Sequence, residues 1–367
     1  MQIDEQIFEF TDDLGPEKII QLYEPRTGMK AIVVVDNTAA GPAIGGVRMA
    51  PDVTVNEVRR LARAMTYKNI MAGLPHGGGK SGIIADPKTV NKEQLIRTFA
   101  RAIKNLQEYI PGPDMGTDES SMAYVYDETS RAVGLPRELG GIPLDEIGAT
   151  GYGVAQCVDV AKDYINLELD GARLVIEGFG NVGKPAARFL AEKGVILVGT
   201  SDTKGTIFNS KGLDVEELIR VKGSTGSVTN YKDGEVLKTT DLLLINTDIL
   251  IPAARPDMIS DANADVVDAK LIIEGANIPI TESAERALHD RGILVVPDFV
   301  ANAGGVITAS VEYHGGTETL ALDKTKSTIR RNTKEILDKV YSEKTYPRET
   351  AVDIARQRVL RAMKYRK

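Results

Sequence analysis

The 367-residue sequence has no tryptophan, one cysteine, three histidines and only 5% aromatic residues. The lone Cys157 excludes an internal disulfide framework. With His76, His289 and His314 scattered along the chain beside that single thiol, soft ligands for a structural zinc site are scarce, and no metal is expected. Basic residues are outnumbered, 45 Lys and Arg against 52 Asp and Glu, for a net charge of -7. No polybasic face is available for a phosphate backbone, so nucleic acid is not expected as a partner. No run approaches the roughly 20 apolar residues that a membrane span requires. The opening MQIDEQIFEF lacks the basic stretch and apolar core of a secretory leader. These absences lead us to expect a reducing, cytoplasmic setting with no membrane.

What the chain does have is glycine, 35 residues of it, within a composition that is 42% hydrophobic and 26% charged. That is enough apolar material for two cored domains. Glycine clusters mark tight turns and close backbone approaches, so they are the first places to look for chemistry.

Residues 31–35 (AIVVV) read as a buried strand, and Val58, Leu61, Ala62 and Met65 keep helical spacing before the turn segment AGLPHGGGK. Leu95, Phe99, Ile103, Leu106 and Ile110 predict a second amphipathic helix. Pro111-Gly112-Pro113 would stop it and form a rigid loop. From about residue 150, apolar runs at 173–177, 195–199, 241–245, 271–274 and 293–296 alternate with helical or loop segments, the pattern of a doubly wound parallel sheet. The tail carries two helix-favouring stretches, 323–343 and 349–366. The fold class is α/β with two domains and a C-terminal helical segment.

The strand RLVIE runs into Gly178-Phe179-Gly180-Asn181-Val182-Gly183 and then a helix-like KPAARFLAEKG. In that context the glycines allow a tight turn, close approach to a pyrophosphate, and close helix–strand packing, while the helix N-terminus offers N–H groups to phosphate. Asp202 ends the next strand about twenty residues on, where a carboxylate can bind an adenosine ribose and repel a 2′-phosphate. NAD is expected, with NADP possible because Lys204 lies nearby. The plainer reading is that the glycines form a βα turn and Asp202 caps a loop.

Lys68 sits on the first helix, and Lys80 closes the run Gly77-Gly78-Gly79. Two ammonium groups gathered in one cleft would lower the pKa of the more buried one and make it a usable acid or base. Asp114 lies in PGPDMGTDE, stiffened by proline. Taken singly, a lysine is usually solvated and a Pro-Asp pair usually begins a turn. His76 precedes the triple glycine and would ordinarily be a partly buried loop residue.

Together the segments GPAIGGVRM (41–49), MTYKNIMAGLPHGGGKSGIIADP (65–87), PGPDMGTDE (111–119), ATGYGV (149–154), VIEGFGNVG (175–183), SDTKG (201–205), DILIPAA (248–254), EGANIPIT (274–281) and VPDFVANAGGV (296–306) resemble the glutamate/leucine/phenylalanine/valine dehydrogenases. The resemblance implies reversible NAD(P)-dependent oxidative deamination of an L-amino acid to a 2-oxo acid and ammonia. It implies a substrate-binding and oligomerisation domain over 1–147, with helices from about 340–367 packing back on it, and a Rossmann domain over 148–339. It further implies a homo-oligomer, hexamer or octamer.

By position, Lys68 resembles the lysine that pairs with the substrate α-carboxylate, Lys80 the lysine that activates water, and Asp114 the carboxylate that moves protons to and from the amino group. Asn302 resembles a residue holding the substrate's backbone groups. Thr150 and Asn277 resemble residues lining the nicotinamide side. Where glutamate-specific members have a lysine before the GG pair and a serine after ANAGGV, this chain has Ile44 and Ala309. Burying a carboxylate there would cost several kcal/mol, so a leucine- or valine-like substrate is expected, with glutamate as the alternative. A hydroxy-acid dehydrogenase and a non-catalytic NAD-binding subunit are weaker alternatives.

Overall fold

The computed structural model describes residues 11–366, so the MQIDEQIFEF segment lies outside the described residues. The chain forms two compact units. One takes in 11–143, 306–321 and 352–366, the other 144–305 and 322–351. The sequence reading placed one boundary at 147/148 and returned the tail to the first domain from about 340. The units instead divide at 143/144, 306–321 joins the first unit, and the return begins at 352.

The first unit is built on a five-stranded mixed sheet of β1 (Lys18–Glu24), β2 (Met29–Asn37), β3 (Ala43–Ala50), β4 (Gly77–Ile84) and β5 (Tyr109–Pro113), in the order β1-β2-β4-β3-β5. The strand β3 runs parallel to β4 and β5, while β2 is antiparallel to β1 and β4. On one face pack α2 (Lys92–Ala102) and α3 (Glu119–Thr129), covering Val33, Val47, Met49, Ile83, Phe99 and Tyr109. The opposite face is covered over β2 by α1 (Val55–Met71), through Ile32, Val34, Val58 and Ala62. Thr54 caps α1 by accepting the Glu57 N–H, worth about 1 kcal/mol.

Two sequence expectations fail here. The helical period through Ile110 breaks at Ala102, and Tyr109–Pro113 is a strand. Proline is tolerated because β5 is an edge strand, where a missing N–H can face away from the sheet. Asp114 therefore follows the C-terminal end of a parallel strand rather than sitting in a free loop.

The second unit carries β6 (Arg173–Glu177), β7 (Ile196–Asp202), β8 (Gly205–Phe208), β9 (Glu235–Leu237), β10 (Ile249–Pro252), β11 (Leu271–Ile273) and β12 (Leu294–Val296), in the order β12-β11-β10-β6-β7-β8-β9. Five strands are parallel, and β8 and β9 extend the edge antiparallel. The run 241–245 is a 3-10 turn (Thr239–Leu244), not a strand, and the place in the sheet is taken by Ile249–Pro252. Both are short apolar runs, but only the second aligns with β6 and leaves all four residues buried. The helices are α4 (Ala149–Ala161), α5 (Gly183–Ala191), α6 (Val215–Thr225), α7 (Glu282–Asp290) and α8 (Asp298–Ala301), followed by α9 (Gly304–Tyr313), α10 (Glu318–Glu343) and α11 (Pro347–Met363). In the first unit α11 is tied down by Arg356 on Asp13 and by Arg358 donating to the Met71 carbonyl at 2.9 Å. Among the described residues no helix is long and apolar enough to cross a membrane.

Candidate active site

In the first unit the strand register places Ile44 beside Gly78 and Ile110, and Gly46 beside Gly112. Alternation then puts Ile44, Gly46, Arg48, Gly78, Lys80, Ile110, Gly112 and Asp114 on the face that α1 covers over β2 and the glycines of β4. The glycines make room. A Cβ on Gly46 would stand 2.7 Å from the Asp114 Cβ and 3.2 Å from the Lys80 Nζ. Lys80 Nζ donates to Asp114 Oδ1 at 2.7 Å, and Arg48 Nε donates to Asp114 Oδ2 at 2.8 Å. Glu57 in turn pairs with Arg48. Two cations and two carboxylates thus alternate, and the Asp114 backbone is fixed by its N–H on Thr117 Oγ1, which donates to the Val47 carbonyl.

Burial pushes the Lys80 ammonium below its usual pKa, with Asp114 opposing and Arg48 adding to the shift. The sequence reading assigned this lowering to repulsion between Lys68 and Lys80; its chief cause is desolvation. Burial would raise Asp114, but Lys80 and Arg48 outweigh it and hold the carboxyl low. The site therefore contains an anion clamped by two cations, one of which is easily neutralised. Arg48 and Glu57, which complete this charge cluster, were not singled out by the sequence reading. Arg48 lies inside the quoted GPAIGGVRM segment, but alternation from Ile44 was needed to place it beside Asp114.

Substituting Gly46 with alanine should lower kcat by roughly a hundredfold and also lower the melting temperature, because the new methyl would stand 2.8 Å from the Pro113 carbonyl oxygen of β5 as well as displacing the Lys80–Asp114 pair. Steady-state kinetics beside a thermal melt checks this; an unchanged kcat would remove the pair from the chemistry.

Lys68 is half-buried on α1 between two anchored neighbours. Thr66 Oγ1 donates to the buried Asp36 carboxylate at 2.5 Å, and Asn69 Nδ2 donates to the Gly77 carbonyl at 2.6 Å. Gly78 permits this, since its Cβ would fall 2.1 Å from the Thr66 nitrogen. Lys68 therefore sits on a helix turn pinned over the glycine run that leads to Lys80. Ile44 and Ala309, 265 positions apart in sequence, meet in one apolar cluster with Ile110 and Val133. His76 is buried beside the rings of Tyr313 and His314, its Nδ1 facing the Pro42 carbonyl at 3.2 Å. Burial pushes its pKa down to about 4, so it is neutral at physiological pH.

In the second unit the glycine turn lies where the strand order reverses between β6 and β10. Gly178 has φ +89°, and a Cβ there would meet Ala254 at 2.5 Å. A Cβ on Gly183 would lie 1.9 Å from the Gly178 carbonyl oxygen, whereas one on Gly180 would meet nothing within 4 Å. That open space, with no side chain capping the N-terminus of α5, fits a pyrophosphate. Val182 takes the N-cap position and Asn181 Nδ2 donates to Asp145 at 2.7 Å.

Asp202 ends β7 but its carboxylate is engaged. It accepts from the N–H groups of Lys204 (2.9 Å) and Val228 (2.8 Å), from Ser227 Oγ (3.1 Å) and from Lys222 Nζ (3.3 Å). The loop-capping reading of Asp202 therefore has substance, and Lys222 and Ser227 are neighbours that sequence spacing did not reveal.

Asn302 Nδ2 donates to the carbonyls of Gly275 and Ala276 and to Asn277 Oδ1 at 3.0–3.2 Å, and its own Oδ1 is buried without a partner. Thr150 lies in the first turn of α4, where a Cβ on Gly305 would meet its Oγ1 at 3.2 Å. Thr150 thus adjoins the ANAGG turn, and Asn277 and Asn302 are joined directly. Among the described residues no group of three or more His, Cys, Asp or Glu side chains could hold a metal.

Comparison with known proteins gives a consistent answer. Residues 140–367 match the glutamate/leucine/phenylalanine/valine dehydrogenase family, and 16–131 match the Glu/Leu/Phe/Val dehydrogenase dimerisation domain. A glutamate dehydrogenase of Aeropyrum pernix is 43% identical, covering 90% of this chain and 85% of that protein. An NADP-specific glutamate dehydrogenase of Saccharolobus shibatae is 41% identical, covering 76% and 69%. The Leu-bound hetero-hexameric glutamate dehydrogenase of Thermus thermophilus superposes with a TM-score of 0.86 at 27% identity, covering 96% of this chain and 90% of that one.

Proposed function

This chain belongs to the glutamate/leucine/phenylalanine/valine dehydrogenase family and is an NAD(P)-dependent amino-acid dehydrogenase acting on CH–NH2 groups; from that premise we propose that it deaminates an L-amino acid with an apolar, leucine- or valine-like side chain. The observation that carries the side-chain class is the cluster Ile44, Ile110, Val133 and Ala309. It offers no cation where a distal carboxylate would lie, and burying that carboxylate unpaired costs several kcal/mol. A second reading, glutamate, has the support of the comparisons, which favour it over the apolar expectation, since the relatives at 43% and 41% identity are glutamate dehydrogenases.

In the proposed roles, Lys68 pairs with the α-carboxylate. Asp114 takes the proton from the amino group, and Lys80 draws a proton from the water that adds to the imine carbon. Asn302 holds the substrate's backbone groups through its unpartnered Oδ1, and Thr150 and Asn277 line the nicotinamide side. The glycine turn 178–183 with Asn181 and Val182 holds the pyrophosphate. The cofactor, when bound, supplies the two-electron hydride chemistry that none of these side chains can. We propose NAD as the preferred form, because Asp202 keeps a negative charge at the end of β7. The cytoplasm and a homo-oligomer, hexameric or octameric, complete the reading.

The test is turnover of a panel of L-amino acids with NAD and with NADP. Leucine or valine should lead by at least tenfold in kcat/KM. Glutamate in the lead would establish the second reading, and no turnover of any member would refute the deamination reading. Asp202→Ala should raise the NADP-to-NAD ratio of kcat/KM by about tenfold, since one unit of charge near a phosphate is worth about 1–2 kcal/mol in a partly exposed site. An unchanged ratio leaves Asp202 with only its loop-capping role.

A further inference from the structure

A second buried charge cluster lies in the second unit, apart from the groups assigned above. Arg348, on the first turn of α11, reaches three carboxylates from three other elements. Its Nη2 donates to Glu274 Oε2 at 2.7 Å, its Nε donates to Glu285 Oε1 at 2.6 Å, and its Nη1 stands 3.0 Å from Asp298 Oδ1. Glu274 follows β11, Glu285 is on α7 and Asp298 opens α8. The three carboxylates are buried, Glu274 completely, and the Arg348 side chain is half-buried.

The carboxylates also grip backbone. Asp298 N–H donates to Glu274 Oε2 at 2.9 Å, and Ile278 N–H donates to Asp298 Oδ2 at 2.9 Å. These two bonds flank the residues that carry the cofactor-side amides: Asn277 is next to Ile278, and Asn302 donates its own N–H to the Asp298 carbonyl at 2.8 Å. One guanidinium therefore holds two chain segments whose side chains meet in the Asn302–Asn277 bond.

We propose that Arg348 is a positioning residue: by clamping Glu274, Asp298 and Glu285 it fixes segments 274–278 and 298–302, and so sets the placement of Asn277 and Asn302. This rests on the deamination reading for what those asparagines do, but not for how they are held. One cation among three ionised carboxylates leaves two negative charges uncompensated, and a retained proton removes one of them. Burial, then Glu285, pushes Glu274 well above the usual carboxyl range, and its Oε1 is buried without a hydrogen-bond partner. A fully ionised cluster would carry two uncompensated charges in the interior, which is far costlier. Asn302 Nδ2 bonds only carbonyl oxygens, so its rotamer is dictated by where the 275–277 backbone lies.

The experiment uses the full chain with Arg348→Lys and Arg348→Met. Lysine keeps the charge but cannot span three carboxylates with a planar fork, so it serves as the variant expected to fold. Three quantities are read: kcat and KM on the best substrate of the panel, amide exchange by mass spectrometry over 274–302, and the thermal midpoint. In Arg348→Lys, kcat should fall by roughly tenfold or more with little change in amino-acid KM. Exchange at Ile278 and Asp298 should rise at least tenfold while the turn at 178–183 stays as in the parent. A lowered thermal midpoint with unchanged kcat and unchanged exchange at those amides would overturn the proposal, as would a fall in kcat with unchanged exchange. If the parent turns over no amino acid, the deamination reading fails, and the exchange measurement alone decides for or against the clamp.

Discussion

Replacing Lys80 with alanine lowers kcat by a factor on the order of 10³ while the protein remains folded. General acid–base groups contribute about 10²–10⁴. Lys80 meets the geometric condition: its Nζ is 2.7 Å from Asp114, the other group proposed to handle protons. Removing one partner of a buried pair usually costs about 3–5 kcal/mol, because the other charge is stranded. Here Asp114 keeps Arg48 at 2.8 Å, so the loss of stability should be smaller than that range.

The pH dependence of the same residue supplies a second readout. Burial lowers the folded pKa of Lys80 below its ordinary 10.5. In the parent, the rising limb of kcat/KM should therefore lie below 10.5, and the alanine variant should lose it. For stability the sign is the same as that of a paired carboxylate, because both folded values are lowered. Between the lowered folded value and 10.5 the unfolded chain binds the extra proton, so stability rises with pH across that window. Asp114 behaves likewise in its own, acidic window: its lowered value gives stability present above pH 3.8 and lost as the pH falls below it. A Lys80→Ala enzyme with unaltered kcat and the same rising limb would show that the proton passes elsewhere.

How much of this was legible in the sequence depended on how local each signal was. The turn after RLVIE was readable because strand, glycines and helix are contiguous, and β6 runs Arg173–Glu177 as expected. The strand Tyr109–Pro113 was not, because its apolar residues continue the helical period of α2, and only pairing with β3 assigns it to the sheet. In the same way DLLLI outranks ILIP in isolation, and the order of strands around β6 decides between them. At the candidate site, Lys80 and Asp114 could be named from their motifs, but Arg48, Glu57 and Thr117 become partners only through register. Arg348 lies 50 residues from its nearest carboxylate partner, Asp298, and no motif announces it. Charged residues that act through long-range pairing leave almost no periodic trace.

The largest change of specificity is expected from Ile44→Lys. Ile44 is 3% exposed, and its neighbours Ile110, Val133 and Ala309 are 0%, 1% and 9% exposed, so a lysine there enters a nearly dry apolar cluster. An unpaired ammonium in such a place costs several kcal/mol, and a substrate carboxylate brought against it recovers much of that cost. The same substitution weakens leucine, whose methyl groups lose an apolar wall. With about 1.4 kcal/mol per tenfold, the ratio of kcat/KM for glutamate to that for leucine should rise by a factor on the order of 10³. Without ligand the variant should melt at a lower temperature than the parent. Added 2-oxoglutarate should restore part of that loss in the variant and have little effect on the parent, because a ligand that binds only the folded form stabilises it by mass action. A parent that already prefers glutamate leads to a different pair of results: the carboxylate would then have its cation elsewhere, a second one at position 44 would raise the ratio by less than tenfold, and 2-oxoglutarate would stabilise both proteins alike. Melting curves with and without 2-oxoglutarate, run beside the two kinetic ratios, separate an apolar wall at Ile44 from a site that accepts the charge by another route.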